Sequence, residues 1–443
     1  MRTHWATPHS EDGLGTVPGS PRPVGADAVT LLSILVVVRL VLPSQLVIGP
    51  LGGAGAPATL FGLMLTAYWF WHRLRRVKAE KAASVNGAAL VLAAVALASV
   101  VVSLSRPIEA DEMGLSILSF VMLLSWLGGL LLASDGVTSF DRLQTLVSRV
   151  AVVGSAFAGF GLVQFVTKTA WVDRLSIPGL VVNTPVYPLT ERDGYARAFS
   201  TAIHPIEFGS VIAMLLPLTI VFGLLGSGHR RVSWVRWIPA GVTVLAAALS
   251  SSRSTIVGVV IGAVLLWPAL SGIQRVVGGI ATLVLGIFVF ITVPGMVGTI
   301  SGLFGGFVGL DSSVASRVDS FPLAMSYFSR APVLGRGFGT FLPRYRIFDD
   351  QYLLALVEMG VLGLIAIVAL WVVPVLGIVR VLAGTSPGST QRLLGAGLLA
   401  SCVVGGVGLA LFDGFGFPMM PAIWFVLLGL AGAYRRLSRA SSE

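Results

Sequence analysis

The sequence is short of charge. Only 11% of its 443 residues are Asp, Glu, Lys or Arg, against roughly 25% in an ordinary soluble domain. So few charges cannot cover the water-exposed surface of a chain this long, which excludes a soluble enzyme and a nucleic-acid-binding protein. Cysteine is nearly missing as well. The one residue, Cys402, lies in an apolar run, so neither an internal disulfide nor a thiolate metal cage is available. The histidines (His4, His9, His72, His204, His229) are scattered without zinc-ligand spacing, and no metal or other cofactor is expected. Lysine is confined to Lys78, Lys81 and Lys168. Because that bias runs through the whole chain, arginine in place of lysine at any single position carries little weight. No internal repeat is visible, which weakens an inverted-repeat transporter.

What is abundant is apolar. Hydrophobic residues make up 55% of the chain and the mean hydropathy is +0.89. Residues 1–27 are polar and rich in Gly and Pro, the pattern of a disordered cytoplasmic tail rather than a cleavable signal peptide. After them, apolar runs long enough to cross ~30 Å of hydrocarbon recur. Twelve spans are predicted: 28–48, 56–73, 86–104, 114–133, 147–167, 204–225, 234–250, 254–271, 276–297, 351–379, 393–412 and 417–434. Continuous runs exclude the alternating pattern of a membrane β-barrel, and only helices otherwise satisfy a backbone in lipid. The expected fold is an all-α polytopic membrane protein of about twelve helices. It comprises a membrane domain over 28–434 with two long outer loops, 168–203 and 298–350, and a cytoplasmic C-terminal tail over 435–443.

The net charge of +10 fits basic loops beside anionic lipid. With the N-terminus inside, Arg73, Arg75, Arg76, Lys78, Lys81, Arg142, Arg149, Arg230, Arg231, Arg236, Arg435 and Arg436 fall in or beside inner segments. The outer segments carry a slight excess of acids. Both termini are then expected in the cytoplasm.

Arginine is least expected on the outer face, yet there it clusters: Arg192, Arg197 and Arg253, then Arg317, Arg330, Arg336, Arg344 and Arg346. The guanidinium fork suits phosphate and diphosphate oxygens. Two readings stand for these residues: a pocket for a lipid-linked diphosphate, or pairing with Glu191, Asp311, Asp319, Asp349 and Asp350 in solvated loops. Glu207 and Glu358 lie just inside spans 6 and 10, where an ionisable group usually faces a cavity and pairs with a site arginine. Arg39 lies within span 1 and either snorkels outward or reaches that cavity. The GRGFG run at Gly335–Gly339 has neither the strand before it nor the βαβ context of a dinucleotide loop. Its glycines are expected to permit tight turns, and the Phe417–Met420 stretch to pack in the membrane.

Three patterns sharpen the first reading of the arginines. They are RAFSTAIHPIEFGS (Arg197–Ser210), LSSSRST (Leu249–Thr255), and SRVDSFPLAMSYFSRAPVLGRGFGTF (Ser316–Phe341) followed by DDQYLLALVEMG (Asp349–Gly360). In this order the chain resembles the O-antigen ligase/polymerase family of bacterial membrane glycosyltransferases. By motif the resemblance covers Arg197 to Gly360, and by its span layout the whole chain. It implies a metal-independent GT-C-like fold. It also implies a glycan donor linked to undecaprenyl diphosphate at the outer face of the cytoplasmic membrane, and an acceptor that is either lipid A core or another repeat unit. Arg197 and Arg253 fall on the arginine positions of the first two motifs, and Arg317 on the arginine that opens the large-loop motif. Ligases typically carry His-Asn before the Tyr-Leu of the last motif. Here Asp349 and Asp350 stand before Gln351, Tyr352 and Leu353, so the histidine thought to activate the acceptor is missing.

The chemistry can be judged apart from any family. Displacing a diphosphate from an anomeric carbon requires stabilised leaving-group charge and a deprotonated attacking hydroxyl. Arg197 and Arg253 are the candidates for the first task, and Asp349 for the second. Asp349 is equally placed to be a first-turn or capping acid of span 10. Candidate substrate contacts are Arg317, His204, Arg336, Asp350, Tyr352 and Glu358; His204 could instead be a histidine bonded to backbone at a helix start, since Pro205 follows it. The expected function is glycan transfer or polymerisation in surface polysaccharide synthesis. The rival readings are a transporter or flippase for a lipid-linked or anionic substrate, a peptidoglycan polymerase, and a non-catalytic scaffold.

Overall fold

A computed structural model describes residues 27–75, 84–183, 189, 191–192, 195–225, 234–250, 252–292, 312–386 and 388–440. Among them are thirteen α-helices: α1 (Ala28–Val41), α2 (Pro57–Arg75), α3 (Ser84–Ser103), α4 (Ala110–Gly136), α5 (Phe140–Thr167), α6 (Pro205–Leu224), α7 (Ile238–Leu249), α8 (Arg253–Leu266), α9 (Gly272–Thr292), α10 (Ser312–Phe328), α11 (Gln351–Ala383), α12 (Thr390–Gly408) and α13 (Met419–Ala440). Among the described residues, strand is limited to β1 (Leu46–Val47) against β2 (Val181–Val182) and β3 (Glu191–Arg192) against β4 (Tyr195–Ala196), both pairs antiparallel. Among the described residues, six helices are long and apolar enough to cross a membrane, and shorter apolar helices accompany them. The protein is a polytopic all-α membrane protein.

Every predicted span contains a helix, with differences at the ends. The first stops at Val41, and residues 46–47 instead pair with 181–182, tying the long segment after α5 to the end of α1. Pro43 lies just beyond that helix end, and a proline disfavours α backbone at the residue before it. The last helix runs on to Ala440, so the expected tail over 435–443 begins inside a helix. The predicted loop over 298–350 contains α10, which apolar length did not reveal. Residues 1–26, within the expected N-terminal tail, lie outside the described residues, as do Arg230 and Arg231.

Helix α13 is largely enclosed, and its neighbours include α4, α6, α11 and α12. Its buried Trp424 donates to the Cys402 carbonyl of α12 at 3.0 Å. Against α6, the helices α8 and α12 bury their glycines: a Cβ on Gly258 would meet Ala213, and one on Gly397 would meet Val221. In lipid there is no hydrophobic force between helices, so close packing through small residues does this work.

Helix α11 is broken. Gly360 has φ 63° and ψ −160°, a backbone open to glycine and costly for other residues. The break leaves peptide groups unsatisfied within an apolar bundle, and residues 332–337 satisfy them. Arg336 and Gly337 donate their N–H groups to the carbonyls of Val357 and Glu358, each at 2.9 Å, while Val361 donates to Pro332 at 2.9 Å. Ser99 of α3 adds a bond to the Glu358 carbonyl at 2.8 Å. This is how non-helical backbone is tolerated at membrane depth. The glycines of the GRGFG run therefore permit close backbone approach as well as turns: a Cβ on Gly335 would fall on the Glu358 carbonyl. Above the break, Ala324 of α10, Phe341, Phe348 and Val357 form a second small core.

A candidate active site at one end of the bundle

Helices α6 and α8 run side by side in the same direction, Gly209 facing Thr255 and Gly258 facing Ala213. Their N-termini therefore meet at one end, where α13 also begins and where the start of α11 is tied to the end of α12. Helix N-termini carry partial positive charge and unpaired N–H groups, a setting suited to anions.

His204 caps α6, its Nδ1 accepting from the Ile206 N–H at 3.1 Å, and Pro205 fills the first helical position as the His-Pro pair implied. With Nδ1 accepting, the proton of the neutral ring sits on Nε2. Burial, and after it the cation of Arg197, hold this imidazole below its ordinary value, in keeping with the neutral ring that the Nδ1 acceptor bond requires. Its ring lies against Phe417, centroids 5.8 Å apart. Arg197 is thus near enough to His204 for its charge to act on the ring. Gln164 of α5 fixes the chain between them, accepting from Phe199 and Ser200 at 3.2 and 2.6 Å.

Arg253 is the first residue of α8, with Ser252 at the cap position, and Ser252 and Thr255 pack on Gly209 one turn below the start of α6. A narrow cleft beside Ser254 runs between α6, α8 and α12.

Asp350, rather than Asp349, caps α11: its Oδ1 accepts from Tyr352 and Leu353 at 2.8 and 3.1 Å. Tyr352 donates through its hydroxyl to the Gly406 carbonyl at 2.6 Å. Gln351 bonds Leu409 through its N–H at 2.8 Å and accepts from Phe415 at 2.8 Å. These bonds clamp the α12–α13 turn onto the start of α11. They bring Asp413 of that turn within reach of the Asp349 charge. Burial pushes the Asp413 carboxyl up to about 6, with the Asp349 charge adding to it against a bond from its own backbone N–H.

Other expected site residues do different work. Arg336 pairs with Glu112 of α4, and its guanidinium lies over Tyr345 at 4.9 Å and Tyr327 at 5.6 Å. Arg106 also meets Glu112, at 3.2 Å, as does the Tyr345 hydroxyl at 2.7 Å. Arg344 pairs with Glu109 and Asp111. Glu358 accepts from the Phe341 N–H at 3.1 Å. Glu207, expected to face a site arginine, accepts from Ile203, Met419 and Met420 N–H groups, and the cation near it is the buried Arg39. Arg317 lies in α10. The Arg197 charge thus acts on His204, and the Asp349 charge on Asp413. The structure gives Asp350, Tyr352 and Arg336 bonds that hold the fold.

Asp413 and Phe417 were not among the sequence candidates. The available signal was an acid in a short glycine- and phenylalanine-rich turn between two apolar runs, DGFGF. That signal is faint without knowing that the turn packs on residue 351.

These features define a multi-pass helical membrane protein with a cationic and a carboxylate group near the starts of several helices. Residues 238–368, from the start of α7 into α11, match the family described as O-antigen ligase. No curated protein matches the chain. The match covers less than a third of the chain and marks these residues as similar to that family.

Proposed function

We propose that the protein transfers or polymerises a glycan from a polyprenyl-diphosphate donor, undecaprenyl diphosphate being the expected carrier, at the outer face of the cytoplasmic membrane. The observation that carries this reading is that the Arg197 charge acts on His204, whose ring lies against Phe417, while the Asp349 charge acts on Asp413, four residues before Phe417 in the same short turn. Arg197 and Arg253 hold the diphosphate, and the acceptor lies on the carboxylate side. The acceptor oxygen attacks the anomeric carbon as the bond to the diphosphate oxygen breaks. The hydroxyl proton passes to a carboxylate, and the electron pair leaves with the diphosphate, whose charge the arginines stabilise. Asp349 remains the candidate base, with Asp413 as its neighbour. Neutral His204 presents Nε2–H as a donor. Inversion at the anomeric carbon is expected from the family resemblance.

The transporter alternative rests on the twelve spans and on Arg39, Glu207 and Glu358, and both glutamates accept from backbone N–H groups. The test is turnover by purified protein in nanodiscs with a lipid-diphosphate glycan and a chelator. Release of polyprenyl diphosphate that persists in chelator and is lost in Arg253→Ala supports the proposal. A ladder of lengths identifies a polymerase, and a single transfer a ligase. No turnover by folded wild type across several donors overturns the proposal in favour of transport.

A further inference from the structure

At the end of the bundle opposite His204, a groove of about 660 Å³ opens between α1, the first half of α5 and the end of α6, within the roughly 300–1,000 Å³ of ligand sites. Val37 and Val152 line it and are 41% and 48% exposed. In a polytopic membrane protein, exposed apolar side chains at this depth face lipid, so what fills the groove comes from the bilayer. Two arginines line the same groove. Arg149 donates to Ser33 at 3.0 Å. Arg236 lies over the Phe222 ring at 4.7 Å, and its buried Nε has no hydrogen-bond partner. One acid, Asp141, is among the described lining residues, so the lining is net positive.

Depth agrees with a headgroup site. The 28 residues of α5 extend about 42 Å, longer than ~30 Å of hydrocarbon. Arg149 is in the third turn, within reach of the phosphate layer by snorkelling. We propose that this groove holds an anionic glycerophospholipid, its phosphate between Arg149 and Arg236 and an acyl chain along Val37 and Val152. The lipid belongs to the leaflet opposite the candidate site and is distinct from any glycan donor, so the inference does not depend on the proposed function.

The test compares the protein in nanodiscs of phosphatidylcholine with and without phosphatidylglycerol. Thermal unfolding and the count of lipids retained in native mass spectrometry are the readouts. Phosphatidylglycerol is expected to raise the melting midpoint of wild type. Arg149→Gln and Arg236→Gln should each weaken retention roughly five-fold, and the double variant should lose the shift. Val152→Trp, which fills the groove and keeps both charges, should lose it too, and this variant decides the matter should the double variant fail to fold. Equal shifts in wild type and variants overturn the proposal. So does an equal shift from inorganic phosphate alone in phosphatidylcholine discs, which would mark an anion site and not a lipid site.

Discussion

Arg336 and Arg344, in the segment before α11, face carboxylates, whereas Arg197, before α6, stands beside the neutral imidazole of His204. Both groups occupy the same end of the bundle and look alike in sequence. The carboxylate-held pair stitches the segment before α11 to the start of α4: Glu112 alone receives Arg336, Arg106 and Tyr345. An arginine already matched by carboxylates has little charge to offer a diphosphate. The Arg197 cation acts instead on the imidazole at the start of α6. Arginines that look alike in sequence thus differ in the groups around them, carboxylates for Arg336 and Arg344 and an imidazole for Arg197.

The largest expected effect is on chemistry. Arg253→Ala should lower turnover by about 10²–10³-fold and leave the melting midpoint close to wild type, measured by product release and thermal unfolding on one preparation. A variant that melts early and turns over normally would move Arg253 into the structural group. Next, Arg336→Ala should destabilise the protein by about 2 kcal/mol. This is less than the 3–5 kcal/mol for breaking a fully buried pair, because Arg336 keeps 22% of its side chain exposed. Arg336→Ala combined with Glu112→Gln should recover part of the loss, since the stranded charge is removed as well. If Arg336→Ala melts like wild type while turnover collapses, the contrast between the two groups fails.

A pH profile sharpens the carboxylate side. Asp413 sits near 6 in the fold against an ordinary 3.8, so the folded protein binds this proton more tightly than the unfolded chain does. Its ionisation therefore costs stability above about pH 6, and that cost is relieved as pH falls from 6 toward 3.8. If the ionised pair serves the acceptor, turnover falls as pH drops through about 6. In Asp349→Asn one raising charge is gone, so the acid limb of the residual turnover should move to lower pH. An unmoved limb would uncouple the two acids. The smallest effect is expected for Arg344→Ala: its partners Glu109 and Asp111 are exposed, and exposed pairs contribute little, so neither melting nor turnover should change measurably.

Much of this was legible in the residues. His204-Pro205 announced a helix cap because proline's fixed φ suits a first helical position, and the serine-rich turn at 249–255 announced the α7–α8 corner. Asp413 was not legible, since nothing local distinguishes an acid in a short turn from a solvated one. Its setting comes from Gln351, which bonds Leu409 and Phe415 across more than fifty residues of chain. The break at Gly360 was hidden likewise, because a hydrophobic run has the same composition whether its helix is whole or broken.

The sequence by itself determined that the chain crosses a membrane as helices and where most of them begin and end. Apolar length and the backbone's need for internal hydrogen bonds in lipid leave no other solution. Only the tertiary structure decided which arginines face carboxylates, which acid caps α11 and which one sits beside its neighbour. A side chain's charge is fixed by its chemistry, but what that charge does depends on the groups that packing brings within a few ångströms.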